Sequence, residues 1–127
     1  MTRITSLVAL LAVLLAAPAF GQGGVDRFDS DTDRVPLHTV IPEYPDVARR
    51  DRIEGQVQVC FNISRAGHPR RISVRHSTSR LFEGIAKKAV RKSSWKPLPR
   101  DQEMSGIKAC RTFRFSLVPV EKGPGQS

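Results

Sequence analysis

The sequence has few of the residues that metal sites, redox centres and membrane bundles require. Its 127 residues include only two cysteines, Cys60 and Cys110, and three scattered histidines, so it has neither a Cys-x-x-Cys motif nor a cluster with the spacing of metal ligands. We therefore expect no metal and no other cofactor. Apolar residues make up 39% of the chain and aromatic residues 6%, which is enough for one modest core and too little for a membrane bundle.

The sequence also lacks an apolar run of the length that a transmembrane helix needs. The longest run, Leu7 to Phe20, has 14 residues, whereas a spanning helix needs about 20. Arg3 precedes this run and small residues follow it, so residues 1–21 are predicted to be a secretory signal peptide. The alternative is a short uncleaved anchor in the inner membrane.

Acidic residues are scarce, and the two charge signs are separated along the chain. The formal net charge is +9. Residues 22–46 carry six acidic and two basic residues, whereas residues 65–114 carry 14 basic and three acidic residues. Because the first part is also rich in glycine and poor in apolar residues, residues 22–40 are predicted to be a flexible acidic leader that could fold back over the basic half.

Apolar periodicity predicts a small α+β domain over residues 41–119, followed by a flexible tail over residues 120–127. Alternating apolar residues predict strands over 57–63, 72–75 and 110–117, the first two forming a hairpin. An apolar stripe at helical spacing runs from Leu81 to Val90, with Ser79 as its N-cap, and Asp46 is predicted to cap a short N-terminal helix. A three-stranded antiparallel sheet with one main helix packed on one face accommodates these patterns.

The two cysteines are predicted to form a disulfide. Each lies opposite the apolar face of its strand, so if the first and last strands are neighbours, the two sulfur atoms share the polar face and can be bridged. An even number of cysteines in an exported protein favours this pairing. The bond would close a loop of 51 residues and stabilise the domain by roughly 4 kcal/mol in the chain-entropy model. Two free thiols are the alternative.

Several short motifs resemble the TonB C-terminal domain family. Pro42, Tyr44, Pro45 and Ala48 are followed by the segment Arg-Ile-Glu-Gly-Gln-Val at 52–57, in the order with which that domain opens. A Gly-containing hairpin, the sequence Leu-Phe-Glu at 81–83 and a Phe-rich last strand follow in the same order. The resemblance spans about residues 41–118.

This resemblance implies a periplasmic domain that binds the TonB box, a short extended peptide of TonB-dependent outer-membrane receptors. In the family the peptide adds to the sheet at the last strand, close to the Tyr-Pro segment, and such strand addition requires an exposed edge. An exposed edge strand also permits self-association. The implied partner-binding residues are Tyr44, Pro45, Arg111, Thr112, Phe113, Arg114, Phe115 and Ser116.

The chain departs from the family pattern at three places. Ile41 stands where the best-known members have a receptor-contacting glutamine, and Ser93 stands where an aromatic residue usually follows the basic pair of the helix. Residues 1–20 contain no histidine that could face the ExbB–ExbD motor, and no long Pro-rich linker follows them. We therefore expect receptor binding without force transmission, and coupling to ExbB and ExbD is in doubt.

Two other classes of function compete with this interpretation. The first is a periplasmic protein that binds polyanions, either lipopolysaccharide or nucleic acid. For a TonB-like module, in contrast, nucleic acid is not an expected partner. An enzyme is the least expected class, because His76 and Ser77 are neighbours on a strand and point to opposite faces. The basic residues that would bind a polyanion are Arg71, Arg75 and Arg114 on the sheet and Lys87, Lys88 and Arg91 on the helix.

Overall fold

The computed structural model of the protein describes residues 23–30 and 32–118, which form an α+β fold. Within these residues a main antiparallel sheet has four strands in the order β1-β6-β3-β4, and a second sheet pairs β2 with β5. The strands are β1 (Gly24–Asp29), β2 (Pro36–His38), β3 (Gly55–Ile63), β4 (Pro69–Ser77), β5 (Ser94–Trp95) and β6 (Ala109–Ser116), and the helices are α1 (Asp46–Arg50) and α2 (Glu83–Arg91).

The core lies between α2 and one face of the main sheet. Apolar residues alternate along β3 and β6, so every second side chain of these strands points towards the helix. The predicted architecture, one main helix on one face of an antiparallel sheet, is therefore confirmed. The buried residues that line this core include Val57, Val59, Phe61, Phe82, Ala86, Ala89, Val90, Phe113 and Phe115.

Both helices begin differently from the prediction. The hydroxyl of Ser79 accepts a hydrogen bond from the Leu81 N–H, but the next residues, Arg80–Phe82, form a 3₁₀ turn and α2 itself begins at Glu83. Asp46 is the first residue of α1, and Pro45 occupies the N-cap position without a side-chain hydrogen bond. Each helix thus has an acidic residue in its first turn, where a negative charge interacts favourably with the helix dipole.

The predicted number of strands in the sheet, three, is wrong, because the main sheet has a fourth strand, β1, in the segment predicted as a flexible acidic leader. The same segment supplies β2, which pairs with β5 in the second sheet. β1 pairs with β6 along its whole length, from Gly24 opposite Ser116 to Asp29 opposite Arg111. The core-side residues of β1 are Val25, Arg27 and Asp29, so this strand lacks the alternating apolar pattern by which a half-buried strand is recognised. β1 has only one apolar residue on the core side, and it pairs with β6 mainly through backbone hydrogen bonds and ion pairs.

The predicted disulfide is confirmed. Cys60 on β3 lies directly opposite Cys110 on β6, and their sulfur atoms are bonded. The two Cα atoms are 4.1 Å apart, the short spacing of a pair that exchanges no backbone hydrogen bonds. The bond therefore fixes β6 against β3 on the sheet face opposite the core.

The predicted signal peptide, residues 1–21, and the predicted tail, residues 120–127, lie outside the described residues. Across residues 23–30 and 32–118, no helix has the length and apolar character needed to cross a bilayer.

Candidate functional site

The last strand, β6, carries six of the predicted partner-binding residues, and its two faces differ. Thr112, Arg114 and Ser116 lie on the face opposite the core, where Arg114 is exposed. Phe113 and Phe115 point into the core and are almost completely buried, with 0% and 1% of their surface exposed. The side chains available to a partner on β6 are therefore those of the polar face.

The backbone of β6 is paired along both edges. β3 lies along one edge and β1 along the other, so β6 is not the exposed edge strand that the sequence predicts. Within the described residues the free edges of the main sheet are those of β1 and β4. A peptide that adds directly to β6 must take the place that β1 occupies.

The direction of the backbone groups along β6 follows from one hydrogen bond. The Ser30 N–H donates to the Cys110 carbonyl oxygen at 2.8 Å, and backbone groups of an antiparallel strand alternate in direction from one residue to the next. Thr112 and Arg114 therefore point their N–H and C=O groups towards β1, whereas Phe113 points its groups towards β3. The predicted row of six pairing residues thus divides into two sets, of which one faces the candidate site.

A buried ion pair fastens the end of β1 to β6. Arg111 is 1% exposed, and its Nε and Nη2 atoms donate to the two carboxylate oxygens of Asp29 at 2.6 and 3.2 Å. The same guanidinium lies over the ring of Trp95, 5.1 Å from its centroid, and donates to the Ser93 hydroxyl at 3.4 Å. Paired, planar hydrogen bonds of this kind are the strongest that a carboxylate and an arginine form. Arg111 thus contacts the segment that covers β6 through its side chain.

A second, more exposed set of contacts joins the other face of the two strands. Arg114 Nη2 lies 3.5 Å from a carboxylate oxygen of Asp26, and these side chains are 50% and 41% exposed. The Arg114 guanidinium also lies over the ring of Phe28, 5.5 Å from its centroid. Because exposed ion pairs contribute little, this face stabilises the pairing of β1 less than the Asp29–Arg111 contact does.

The sequence patterns do not indicate Asp29 as a contact of β6, and they indicate Arg111 only as a residue of backbone pairing. A signal for both is present in the period of β6. Counting back in steps of two from Phe115 and Phe113 places Arg111 on the core side of the strand, and a buried charge requires a partner of opposite charge. Residues 22–46 carry six acidic and two basic residues, so this segment is where such a partner is expected.

Tyr44, a predicted partner-binding residue, is a core residue in the structure. It is 6% exposed, packs edge-on against Phe82 and Phe115, and donates its hydroxyl hydrogen bond to the Ile53 carbonyl oxygen. Burial raises the pKa of Tyr44, the Glu54 carboxylate raises it further, and Arg49 lowers it. The contribution of Tyr44 is therefore to hold the Tyr-Pro segment in place beneath the sheet.

The Tyr-Pro segment lies close to the start of β1. An open groove runs between Gly24 and Val25 of β1 and the segment Ile41–Tyr44, and it continues past Asp46 to Arg49 of α1. Pro45 is half-buried beside this groove. The structure therefore places the Tyr-Pro segment next to the strand that covers β6, which brings two of the predicted regions to one side of the domain.

The outer edge of β4 is a poorer edge for strand addition. The pairing of β4 with β3 shifts register twice, and Arg71 has a left-handed backbone conformation, with φ of 53°. Irregular pairing and charged side chains are features that prevent a sheet edge from accepting another strand. The side of the sheet formed by β1 and β6 is therefore the better candidate for binding an extended peptide.

Ser77, which the sequence places beside His76, has a structural partner. Its hydroxyl donates a hydrogen bond to the carboxylate of Glu83 in the first turn of α2. This contact connects the end of β4 to the start of the helix.

The family model of the Gram-negative bacterial TonB protein C-terminal matches residues 41–117. The solution NMR structure of the Pseudomonas aeruginosa TonB C-terminal domain superposes with a TM-score of 0.51 at 34% sequence identity, and the match covers 73% of this chain and 92% of that chain. Among the curated proteins no match was found.

Proposed function

Because the chain belongs to the family of Gram-negative bacterial TonB C-terminal domains, we propose that it is a periplasmic module that binds the TonB box of outer-membrane receptors by strand addition. Domains of this family are periplasmic, non-enzymatic and associated with transport, and they interact with TonB-dependent outer-membrane receptors. The proposal names the TonB box as the recognised peptide and β6 as the strand that receives it.

The observation that carries the proposal is the pairing of β6 with a segment outside the family domain. The family match begins at residue 41, whereas β1 ends at Asp29. Without β1, the outward N–H and C=O groups of Thr112 and Arg114 would form a free edge of the family domain. Such an edge offers an extended peptide a row of hydrogen-bond donors and acceptors, which is the basis of recognition by strand addition.

The proposed site combines this row with the nearby Tyr-Pro segment. A peptide in the place of β1 would continue at one end along the groove beside Ile41 and Pro42. Self-association through β6 would use the same row, so a second copy and a receptor peptide would compete for it. The proposed domain covers residues 41–119, with the signal peptide over 1–21 and the tail over 120–127.

The proposal is tested by titrating the exported protein with synthetic TonB-box peptides from the outer-membrane receptors of the same bacterium. Peptides of the same composition in scrambled order are the controls. We expect the affinity to depend on the peptide sequence. Because β1 covers Thr112 and Arg114, we expect the bound peptide to slow hydrogen exchange at these two amides in a variant whose β1 no longer pairs with β6. If no TonB-box peptide binds even when β1 is released, the proposal is wrong.

A single substitution tests the receiving strand. Thr112→Pro removes an N–H that points towards β1 and leaves the core side of β6 unchanged, because Thr112 lies on the opposite face. We expect this variant to keep the helical part of its circular dichroism spectrum, to lose the pairing of β1 that the same N–H supports, and to lose peptide binding. Binding that does not depend on peptide sequence and that falls steeply with ionic strength would instead indicate a polyanion-binding surface.

A further inference from the structure

We propose that β1 is a releasable internal occupant of the peptide-binding edge, and that Arg111 makes this edge selective for extended acidic peptides. The proposal rests on the proposed function, because β1 occupies the row of β6 backbone groups that a receptor peptide would use. It adds two elements, an intramolecular competitor and a residue that recognises one position of the incoming peptide.

β1 can leave β6 without disrupting the core. The buried core cluster contains no residue of β1, and Val25 packs against it only as a partly buried neighbour. Phe28, the other large apolar residue of the strand, is 51% exposed. β1 is therefore held by backbone hydrogen bonds, by its two ion pairs with β6, by the packing of Val25 and by the contact of the Phe28 ring with Arg114. Directly after β1, the Ser30 hydroxyl accepts a hydrogen bond from the Cys110 N–H. Elements with few buried apolar contacts are those that open with the lowest free energy.

The contact that is most costly to lose is that of Arg111. When β1 leaves, this guanidinium loses both carboxylate hydrogen bonds, and the contacts that remain in the described structure are the Ser93 hydroxyl and the face of Trp95. A peptide that takes the place of β1 covers this guanidinium again, and a covered charge without a counter-charge is strongly unfavourable. An incoming peptide therefore binds well when it presents a carboxylate at the position of Asp29.

Selectivity arises because a neutral residue at this position leaves the buried guanidinium unpaired. Discrimination by an unpaired buried group is larger than discrimination by a lost contact at the surface. The fork of Nε and Nη2 requires the two oxygens of a carboxylate, which an amide does not supply. The second acidic residue of β1, Asp26, contacts the half-exposed Arg114, so an acidic residue at that position is expected to matter less.

The release of β1 is tested without any partner, using two proline variants of the exported chain. Phe28 lies opposite Thr112, two residues from the hydrogen-bonded pair of Ser30 and Cys110, so its N–H points towards β6. Phe28→Pro therefore removes a hydrogen bond between the strands. The N–H of Arg27 points away from β6, and Arg27→Pro is the matched control, because proline is tolerated where the N–H of an edge strand faces solvent. Arg27 Nε lies 3.6 Å from a carboxylate oxygen of Asp29, so Arg27→Ala, which loses the same contact without introducing proline, is measured beside it.

We expect Phe28→Pro to raise hydrogen exchange at the Thr112 and Arg114 amides by about tenfold or more, while the Phe113 amide, which faces β3, stays protected. Arg27→Pro should exchange like Arg27→Ala. Equal exchange at Thr112 and Arg114 in the wild type and in Phe28→Pro would overturn the proposal, because β1 would then not cover these groups.

The selectivity is tested with a peptide that copies residues 23–31 and with a second peptide that has asparagine at the position of Asp29. We expect the first peptide to bind Phe28→Pro at least tenfold more tightly than it binds the wild type. We also expect it to bind Phe28→Pro at least about tenfold more tightly than the asparagine peptide does, because the loss of a charged hydrogen bond weakens binding by about this factor. Equal binding of the two peptides would refute the role of Arg111, and equal binding to the two proteins would refute the competition by β1.

A TonB-box peptide in the same titration separates this proposal from the proposed function. If the copied peptide behaves as expected and no TonB-box peptide binds Phe28→Pro, the edge is controlled by β1 but the proposed receptor function is wrong. The opposite result is that TonB-box peptides bind the wild type and Phe28→Pro equally while the Thr112 and Arg114 amides stay protected by β1. Such peptides bind at another surface, so the receptor function is supported and the control by β1 is wrong.

Discussion

The ion pair between Asp29 and Arg111 provides the strictest test of how β1 is held in the fold. Asp29→Asn preserves the size of the side chain and one acceptor oxygen, but it removes the charge that faces the buried guanidinium. We expect this variant to lower the free energy of unfolding by about 2 kcal/mol. The loss falls on the pairing of β1 with β6, which this contact fastens at one end.

The magnitude follows from the different burial of the two partners. Breaking a fully buried ion pair by removing one partner costs about 3–5 kcal/mol. Here Arg111 is 1% exposed but the Asp29 side chain is 27% exposed, and the asparagine oxygen still accepts one hydrogen bond. The protein can also release β1 and so expose the guanidinium to water, which limits the loss to the free energy with which β1 binds to β6. Both effects place the expected value below the range for full burial.

Asp26→Asn is the matched control, because it makes the same change on the same strand at an exposed ion pair. The Asp26–Arg114 distance is 3.5 Å and both side chains are at least 41% exposed, so we expect a loss below about 0.5 kcal/mol. The measurement is urea denaturation of the oxidised protein at neutral pH. A double-mutant cycle with Arg111→Met then isolates the pair, and its coupling energy should be about 2 kcal/mol.

Two results would refute this reasoning. If Asp29→Asn and Asp26→Asn lower the free energy of unfolding equally, burial does not distinguish the two ion pairs. If the cycle between Asp29→Asn and Arg111→Met gives a coupling energy below about 0.5 kcal/mol, the guanidinium does not depend on Asp29.

Three further predictions concern the disulfide, the tyrosine and the N-terminus. Cys60→Ser should lower the free energy of unfolding by about 2–5 kcal/mol, and two alkylatable thiols in unreduced periplasmic protein would contradict the disulfide. Tyr44 is the only tyrosine, so its absorbance titration should have a midpoint above the ordinary value of about 10, since burial raises its pKa. Because the unfolded chain then loses this proton at lower pH than the folded one, the free energy of unfolding should fall as the pH rises through the folded pKa, and it should fall less in Tyr44→Phe. N-terminal sequencing of the periplasmic protein should begin near Phe20 or Gln22, and full-length chain in the inner membrane would contradict cleavage.

Sequence periodicity was sufficient to predict the strands and the helix that bury apolar side chains. The alternation of Val57, Val59 and Phe61 on β3 and of Phe113 and Phe115 on β6 predicts both strands, because a half-buried strand must place every second residue in the core. The same alternation places the two cysteines on the opposite face, from which their pairing follows once the strands are neighbours. The helical stripe that ends at Val90 predicts α2 for a similar reason.

The same criterion failed for β1, because this strand is not held mainly by apolar burial. Its core-side residues are a valine, an arginine and an aspartate, and its other large apolar residue, Phe28, is exposed. The composition of residues 22–40 therefore has the acidic, Gly-rich character of an unstructured leader. Opposite net charge indicated that this leader could fold back, but charge alone specifies neither a strand nor its register.

The domain class, the two long strands, the main helix and the disulfide were predictable from the sequence, since they depend on local periodicity and on burial of apolar surface. The strand that covers the outer edge of β6 could be identified only from the folded structure, because strand order depends on contacts between residues far apart in the chain. Asp29 and Arg111 are 82 residues apart in sequence, and no local pattern joins them. The fold brings them to one part-buried contact, which fastens β1 to β6.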